Sequence, residues 1–411
     1  MTEYLWRLPS RGDGRRADAG LRHRGRSGSP IPAVDAERNR AGRNVIGGAP
    51  DNGRAPALGV VGAGSAEVGG SASVEARSVD PAVTDVRAGR FGPFDDLHQV
   101  VHAAELSGLD GVLASYDPAG EESWIVAGAA LRATRHARVV VDFHPGFGTP
   151  VYAAKVSASL QRFSAGRLGW RLAVDTDADD ARQRGDRVTG DDRYARAAEF
   201  LTVARGVWNE NPVPAAGFRG TGFDYAGEYY DVIDGGFRGI LSGLPFPAVY
   251  LSGDSTAALE LSARHGDVHV FTETPQGLDA SLTELRALSA AAGRTVRAGV
   301  EVPVIARETE TEAWARVERQ WRELYPDGPG AEALDLGDGR WAGFTQLGYP
   351  QAIGLVGSYE QVARQLRAYA TAGVDTVVLS GHPHLEEVYR AGEHLLFLAD
   401  PTGRTLKEAT A

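Results

Sequence analysis

The chain has 411 residues, 43% of them hydrophobic and 8% aromatic, which suits one or two ordinary globular domains or a single barrel of ~250 residues with insertions. A net charge of -11 argues against a nucleic-acid partner, and no apolar run approaches the ~18 residues of a membrane span. The absence of cysteine excludes disulfides, thiolate metal sites and a cysteine nucleophile, and the opening MTEYLWRLPSRGDGRR lacks an apolar signal core, so a cytoplasmic address is expected.

Tyr4 to Pro9 read as a short first strand, and residues 1–16 as that strand with its loop. Residues 17–90 change character. No aromatic residue lies between Trp6 and Phe91, and a stretch of Gly, Ala, Arg, Asp, Ser and Pro has too few bulky side chains to offset backbone entropy, so an inserted, largely disordered segment is expected. Within it GVVGAGSAEVGG holds Gly62, Gly64 and Gly69, but the spacing departs from GxGxxG and low complexity accounts for it better.

From 91 to 400 helical periodicity alternates with short Val- and Leu-rich runs, the pattern of parallel strands buried on both faces; 401–411 read as a tail. FDDLHQVVHAAELSG leads to GVLASY, EESWIVAGAALRAT to ARVVVDFH, and PVYAAKVSASLQRFSAG to RLGWRLAV. A helix from Arg193 to Trp208 precedes FDYAGEYYDVID, a surface hairpin or loop, and then the strand PAVYLSG. STAALELSARHG leads to DVHVF, LDASLTELRALSAAAG to VRAGVEVPVIA, and, after a Gly-rich gap, SYEQVARQLRAYATAG to VDTVVLSG and a last helix from His384 to about Leu398. Eight strands result. A doubly wound open sheet shares this alternation, but the count of eight favours a closed (β/α)₈ TIM barrel, an α/β fold.

In either architecture ligands gather at the carboxyl ends of the strands, so the residues after each apolar run matter most. Asp254 and Ser255 follow PAVYLSG at a helix start, where exposed N–H groups make a phosphate site or simply an N-cap. His144, ahead of the loop Pro145 to Gly148, is either a cleft histidine or a hydrogen-bonded structural one. Arg171 in LGWRLAV must be paired or face a polar ligand, and Glu301 in AGVEVPVIA is a candidate partner for it. His382, His384, Glu386 and Glu387 include metal-ligating types but show no HExxH-type spacing, so no metal is expected. With no GxSxG elbow and no Walker loop, a barrel of this kind points to chemistry carried by a cofactor such as flavin.

Several stretches together carry a resemblance. LSGHPHLEEVYRAGEHLLFL resembles the barrel-closing segment of alkanesulfonate monooxygenases, and TPVYAAKVSASLQRFSAGRLGWRLAVD, DDRYARAAEF, PAVYLSGDSTAALELSARHGDVHVF and LWRLPSRGDGR are similar to further segments of these bacterial-luciferase-like flavin monooxygenases. The resemblance implies a barrel that takes reduced FMN (FMNH2) from a separate NAD(P)H-dependent flavin reductase and, with O2, oxygenates a small organic substrate, an alkanesulfonate or related sulfur compound. Deazaflavin F420 with hydride transfer is the alternative in the same class, a degenerate flavin-binding barrel the alternative outside it, and a homo-oligomer is expected. It also implies Tyr194, Gly253, Asp254 and Ser255 at the flavin phosphate, Arg171 and His144 near the ring, and His382 with Arg11 in the substrate cleft. Departures stand out. Asp254 replaces a serine beside the phosphate, Arg171 a strand-four Asn, and Glu301 and Pro303 an Arg and a His, which argues against an unchanged sulfonate substrate.

Overall fold

The computed structural model describes residues 2–10, 93–209, 222–237 and 244–404. All of them belong to one compact unit, Met1–Leu21 with Arg90–Ala411. Arg11 and the expected insertion at 17–90 lie outside the described residues.

Strand β1 (Glu3–Arg7) is followed by α1 (Pro93–Leu106), β2 (Gly111–Ala114), α2 (Ser123–Ala133), β3 (Arg138–Phe143), α3 (Pro150–Ser164) and β4 (Leu168–Leu172). Next come α4 (Ala178–Gln183), α5 (Asp192–Trp208), and an antiparallel hairpin of β5 (Phe223–Ala226) and β6 (Asp231–Gly235). The chain continues through β7 (Ala248–Ser252), α6 (Thr256–His265), β8 (Val268–Thr272), α7 (Asp279–Ala291), β9 (Arg297–Arg307) and α8 (Glu310–Leu324). It ends with short strands β10 (Asp335–Gly337) and β11 (Arg340–Trp341), β12 (Gly354–Ser358), α9 (Tyr359–Ala372), β13 (Val374–Ser380), α10 (His384–Arg390), a π-helical turn at Ala391–Leu395 and α11 (Leu396–Ala399).

Eight of these strands, β1, β2, β3, β4, β7, β8, β9 and β13, are parallel neighbours in that order, and pairing of β13 with β1 closes the ring. The expected TIM barrel is therefore present, and FDYAGEYYDVID, read as a surface hairpin or loop, forms the hairpin. Helix starts follow local chemistry. Thr149 caps α3 ahead of Pro150, Thr309 with Glu312 and Ser358 with Gln361 form capping boxes on α8 and α9, and Gly373 turns α9 into β13 at φ 94°.

Register and alternation sort the inward-facing side chains into tiers. Glu3, Arg138, Tyr250 and Thr376 close the amino end, with Tyr250 Oη and Thr376 Oγ1 each donating to Glu3 at 3.0 Å. Leu5, Leu113, Val140, Val270 and Val378 fill the middle. Arg7, Asp142, Arg171, Ser252 and Glu301 face inward at the carboxyl end. The outer faces of the strands pack Trp6, Phe143, Trp170 and Leu379 against the helices.

The Gly-rich gap before the last helix-strand unit holds structure that the sequence pattern did not disclose. Strand β9 runs for 11 residues; Ala298 to Pro303 pair with β13, and Val304 to Arg307 pair with β12. Pro303, which has no N–H to give a ladder, marks the change of partner. With β11 and β10 this second half of β9 forms a small sheet over its own core of Ile305, Trp321, Trp341, Phe344 and Tyr349. Strands of two to five residues rich in glycine carry too little alternation to be recognised by pattern.

Candidate active site

At the carboxyl end of the barrel Glu301 is 1% exposed and accepts from two arginines, Arg171 Nη1 at 2.7 Å and Arg7 Nη1. Burial pushes its carboxyl up, but the two guanidinium groups outweigh burial and hold it at about 2. Arg171 continues to Ser252 Oγ at 3.4 Å and lies 4.0 Å from Asp142 Oδ2. Asp142 is raised above the usual carboxylate range by burial, against the pull of Arg171 and Arg7. So Glu301 is the partner of Arg171, as one reading of the sequence allows, and Arg7 joins from the first strand, where the sequence reading had singled out no charged residue. The same rule that singled out Arg171, a charge inside an apolar run, would have found Asp142 in RVVVDF.

This network does not satisfy the mouth. Ser115 Oγ, Asp142 Oδ1 and Ser380 Oγ are buried with no hydrogen-bond partner among the described residues. Orphaned polar atoms cost roughly 1 to 3 kcal/mol each unless a ligand or water meets them, so three of them at the carboxyl end of the barrel mark a candidate place for a polar ligand. An isoalloxazine ring, which carries carbonyls and ring nitrogens along one edge, has the matching donor and acceptor set.

Two histidines flank the mouth. His382 stacks on Tyr349, from the core under the small sheet, with ring centroids 4.1 Å apart, and its backbone N–H donates to Tyr349 Oη at 2.8 Å, so the region missed in the sequence helps position the histidine expected in the cleft. Burial and Arg316 lower His382 to about 4, leaving it neutral at pH 7, and its Nδ1 is a further orphan. His384 opens α10, and its Nδ1 accepts from Trp6 Nε1 at 3.2 Å. Glu387 is held by Arg307 at 2.7 and 3.0 Å.

His144 has a more constrained setting. Its Nδ1 accepts from the Gly146 N–H at 3.0 Å, its Nε2 lies 3.5 Å from Asp186 Oδ2, and Asp186 is clamped by both terminal nitrogens of Arg196 at 2.6 and 2.8 Å. Burial and the Arg196 charge lower it to about 4. It lines a mostly apolar cavity of about 540 Å³ with Tyr116, Trp124, Phe147 and Tyr152, between the barrel and α2 and α3. The structure thus sets His144 apart from the Arg171–Glu301 cluster by its partners.

The residues expected at a phosphate do come together at the start of α6. Ser255 is the N-cap and accepts from the Ala258 N–H at 3.1 Å, and Tyr194 Oη, from α5, is 2.9 Å from Ser255 Oγ. Gly253 turns the chain there at φ 127°, a conformation that suits glycine. Asp254 is exposed, and its carboxyl is raised by burial and by Asp175. Asp175 is the residue the sequence reading missed. Its Oδ1 accepts from Tyr194 Oη at 2.5 Å and pairs with Arg193 at 3.6 Å, and a Cβ on Gly253 would lie 2.3 Å from its Oδ2. The carboxyl end of the barrel offers hydroxyls and a carboxylate of the kind the polar edge of a flavin would meet, whereas the cradle at α6 already holds the carboxylate of Asp175.

Among the described residues no helix is long and apolar enough to cross a membrane. Solved structures with the same fold include EDTA monooxygenase from Chelativorans sp. BNC1 (20% identity, 75% of this chain and 87% of that one, TM-score 0.57). Long-chain alkane monooxygenase (16% identity, 76% and 85%, TM-score 0.58) and an F420-dependent secondary alcohol dehydrogenase (16% identity, 74% and 94%, TM-score 0.54) are similar to the same extent. The model of the luciferase-like monooxygenases matches residues 74–376, starting inside the segment read as an insertion and stopping short of the closing HPHLEE stretch. A match of that length, over a closed barrel with a polar mouth, settles the family: this chain belongs to the luciferase-like monooxygenases.

Proposed function

We propose that the chain is a reduced-flavin-dependent monooxygenase that receives its flavin from a separate NAD(P)H-dependent reductase and oxygenates a small neutral or weakly acidic organic compound. The observation that carries this is the ring of buried unpaired atoms, Ser115 Oγ, Asp142 Oδ1 and Ser380 Oγ, around the Arg7–Glu301–Arg171 cluster. A bound reduced flavin supplies the activation of O2. Arg171, fixed by Glu301, holds the polar edge of the ring; Ser115 and Ser380 supply hydroxyls; neutral His382 can hold or accept a proton at the substrate.

The same cluster speaks against a simple alkanesulfonate. A permanent anion needs cationic partners, yet Arg7 and Arg171 are both engaged with Glu301, and His382 is neutral at pH 7. The test couples the protein to a flavin reductase and follows O2 uptake and product over alkanesulfonates, sulfones and neutral ketones. Substrate-dependent O2 uptake with an oxygenated neutral product supports the reading. Sulfite release from an alkanesulfonate with kcat/KM near ~10⁴ M⁻¹s⁻¹ would refute the substrate assignment.

Hydride transfer with a deazaflavin such as F420 is the second reading, favoured by one observation, the carboxylate of Asp175 in the cradle where FMN would place its phosphate. Absence of binding by any flavin would leave a non-catalytic barrel.

A further inference from the structure

The start of α6 has the parts of an anion site: a glycine turn, a capping serine, a tyrosine hydroxyl and a nearby guanidinium. Those parts are already committed to an anion of the protein's own. Tyr194 Oη donates a hydrogen bond to Asp175 Oδ1 at 2.5 Å, Arg193 Nη2 lies 3.6 Å from the same oxygen, and Asp175 Oδ2 sits where a side chain on Gly253 would begin. Arg193 is further held by the Gly190 and Thr176 carbonyls at 3.1 Å each. Asp254 adds a second carboxylate at the helix start.

We infer that this cradle selects against a terminal phosphate dianion, so that the flavin this chain takes ends in a hydroxyl or in a singly charged phosphodiester and is not a phosphomonoester such as FMN. The inference rests on the flavin reading above and deepens it. Its physical basis is a count of charge. Asp175 is paired with one arginine, Arg193, while Asp254 adds a second carboxylate that feels Asp175, so the cradle is net negative before a ligand arrives, and like charges close together repel most where water is partly excluded. Moreover, a phosphate could recruit Tyr194 only by taking its hydrogen bond away from Asp175. Substituting serine by Asp254 could be absorbed by turning that exposed side chain outward; Asp175 has no such escape while it is tied to Tyr194 and Arg193.

The experiment measures dissociation constants of the full-length protein for riboflavin, FMN and F420, each in its reduced form under anaerobic conditions and in low salt, by quenching of protein tryptophan fluorescence. Riboflavin or F420 is expected to bind at least about tenfold more tightly than FMN, a factor equal to ~1.4 kcal/mol. In Asp175→Asn with Asp254→Asn, which keep side-chain size, FMN should gain at least about tenfold while riboflavin changes less than about threefold. A measurement on the unmodified protein covers the case in which the variant misfolds. Raising salt should tighten FMN relative to riboflavin, because it screens repulsion. FMN binding about tenfold tighter than riboflavin, weakened by salt, overturns the inference and leaves the flavin reading standing. Failure of all three ligands overturns both.

Discussion

At the amino end of the barrel the part-buried carboxylate of Glu3 meets Tyr250, Thr376 and Arg138, and none of those side chains is left with a buried polar atom lacking a partner. At the carboxyl end Glu301 meets two arginines, yet Ser115, Asp142 and Ser380 each keep a buried atom without a partner. Both ends bury charge in the same sheet, under the same apolar middle tier. The difference lies in completion. One end is closed by the protein alone, and the other is closed only when something polar enters, which is how a barrel separates the face that holds it together from the face that works.

That contrast can be broken most forcefully at Glu301. Replacing it by Ala leaves two arginines facing each other in the barrel, and a loss of about 3 to 5 kcal/mol in urea unfolding is expected, as for other buried pairs that lose one partner. A loss below about 1 kcal/mol would mean that water reaches the cluster and that it is not the dry floor of a site.

Acid should act next. His144 and His382 sit at about 4 and His384 is lowered well below its ordinary value, all held neutral chiefly by burial, whereas in the unfolded chain they protonate near 6.5. The unfolded state therefore takes up protons first as pH falls, and stability declines from pH 6.5 towards 4. Glu301, lowered to about 2, keeps its contribution down to pH 4.5 and loses it only between 4.5 and 2. A fall of about 5 °C in the thermal midpoint from pH 7.5 to 5 is expected. A flat profile over that range would show these histidines to be hydrated.

A smaller effect is expected at the amino end. Glu3→Gln weakens its bonds to Tyr250, Thr376 and Arg138, costing ~1 to 2 kcal/mol. Ligand affinity should not move. A change in flavin binding for this variant would erase the distinction between the two ends.

The least costly variants sharpen the comparison best. Ser115→Ala and Ser380→Ala remove oxygens that satisfy nothing in the folded protein, so stability should stay within about 1 kcal/mol of the parent or rise. Flavin affinity should fall at least about threefold. Stability lost with affinity kept would assign these hydroxyls to the fold.

Much of this was legible from spacing. Val-rich runs separated by amphipathic helices can bury themselves only as parallel strands under helices, and eight of them close. Tyr194 and Ser255 were found through resemblance, and the structure brings them within 2.9 Å. Asp175 was not found, because a single acidic residue after a strand looks like any solvated loop carboxylate until its neighbours are known. The small sheet escaped because two- to five-residue strands broken by glycine leave no period to read.

By itself the sequence determined which side chains had to be paired. Arg171 and Glu301 stand in runs that alternation drives into the barrel, and an isolated buried charge is too costly to persist. It did not determine with whom. Only closure of the ring, with β13 laid between β1 and β9, brings Arg7 across 294 residues onto Glu301. Likewise, only the packing of α5 beside the β4 loop and the start of α6 puts a carboxylate between Tyr194 and Gly253. Local periodicity fixes which way a residue faces; its partner across the barrel is fixed by the order in which strands meet, and that order is a property of the closed sheet.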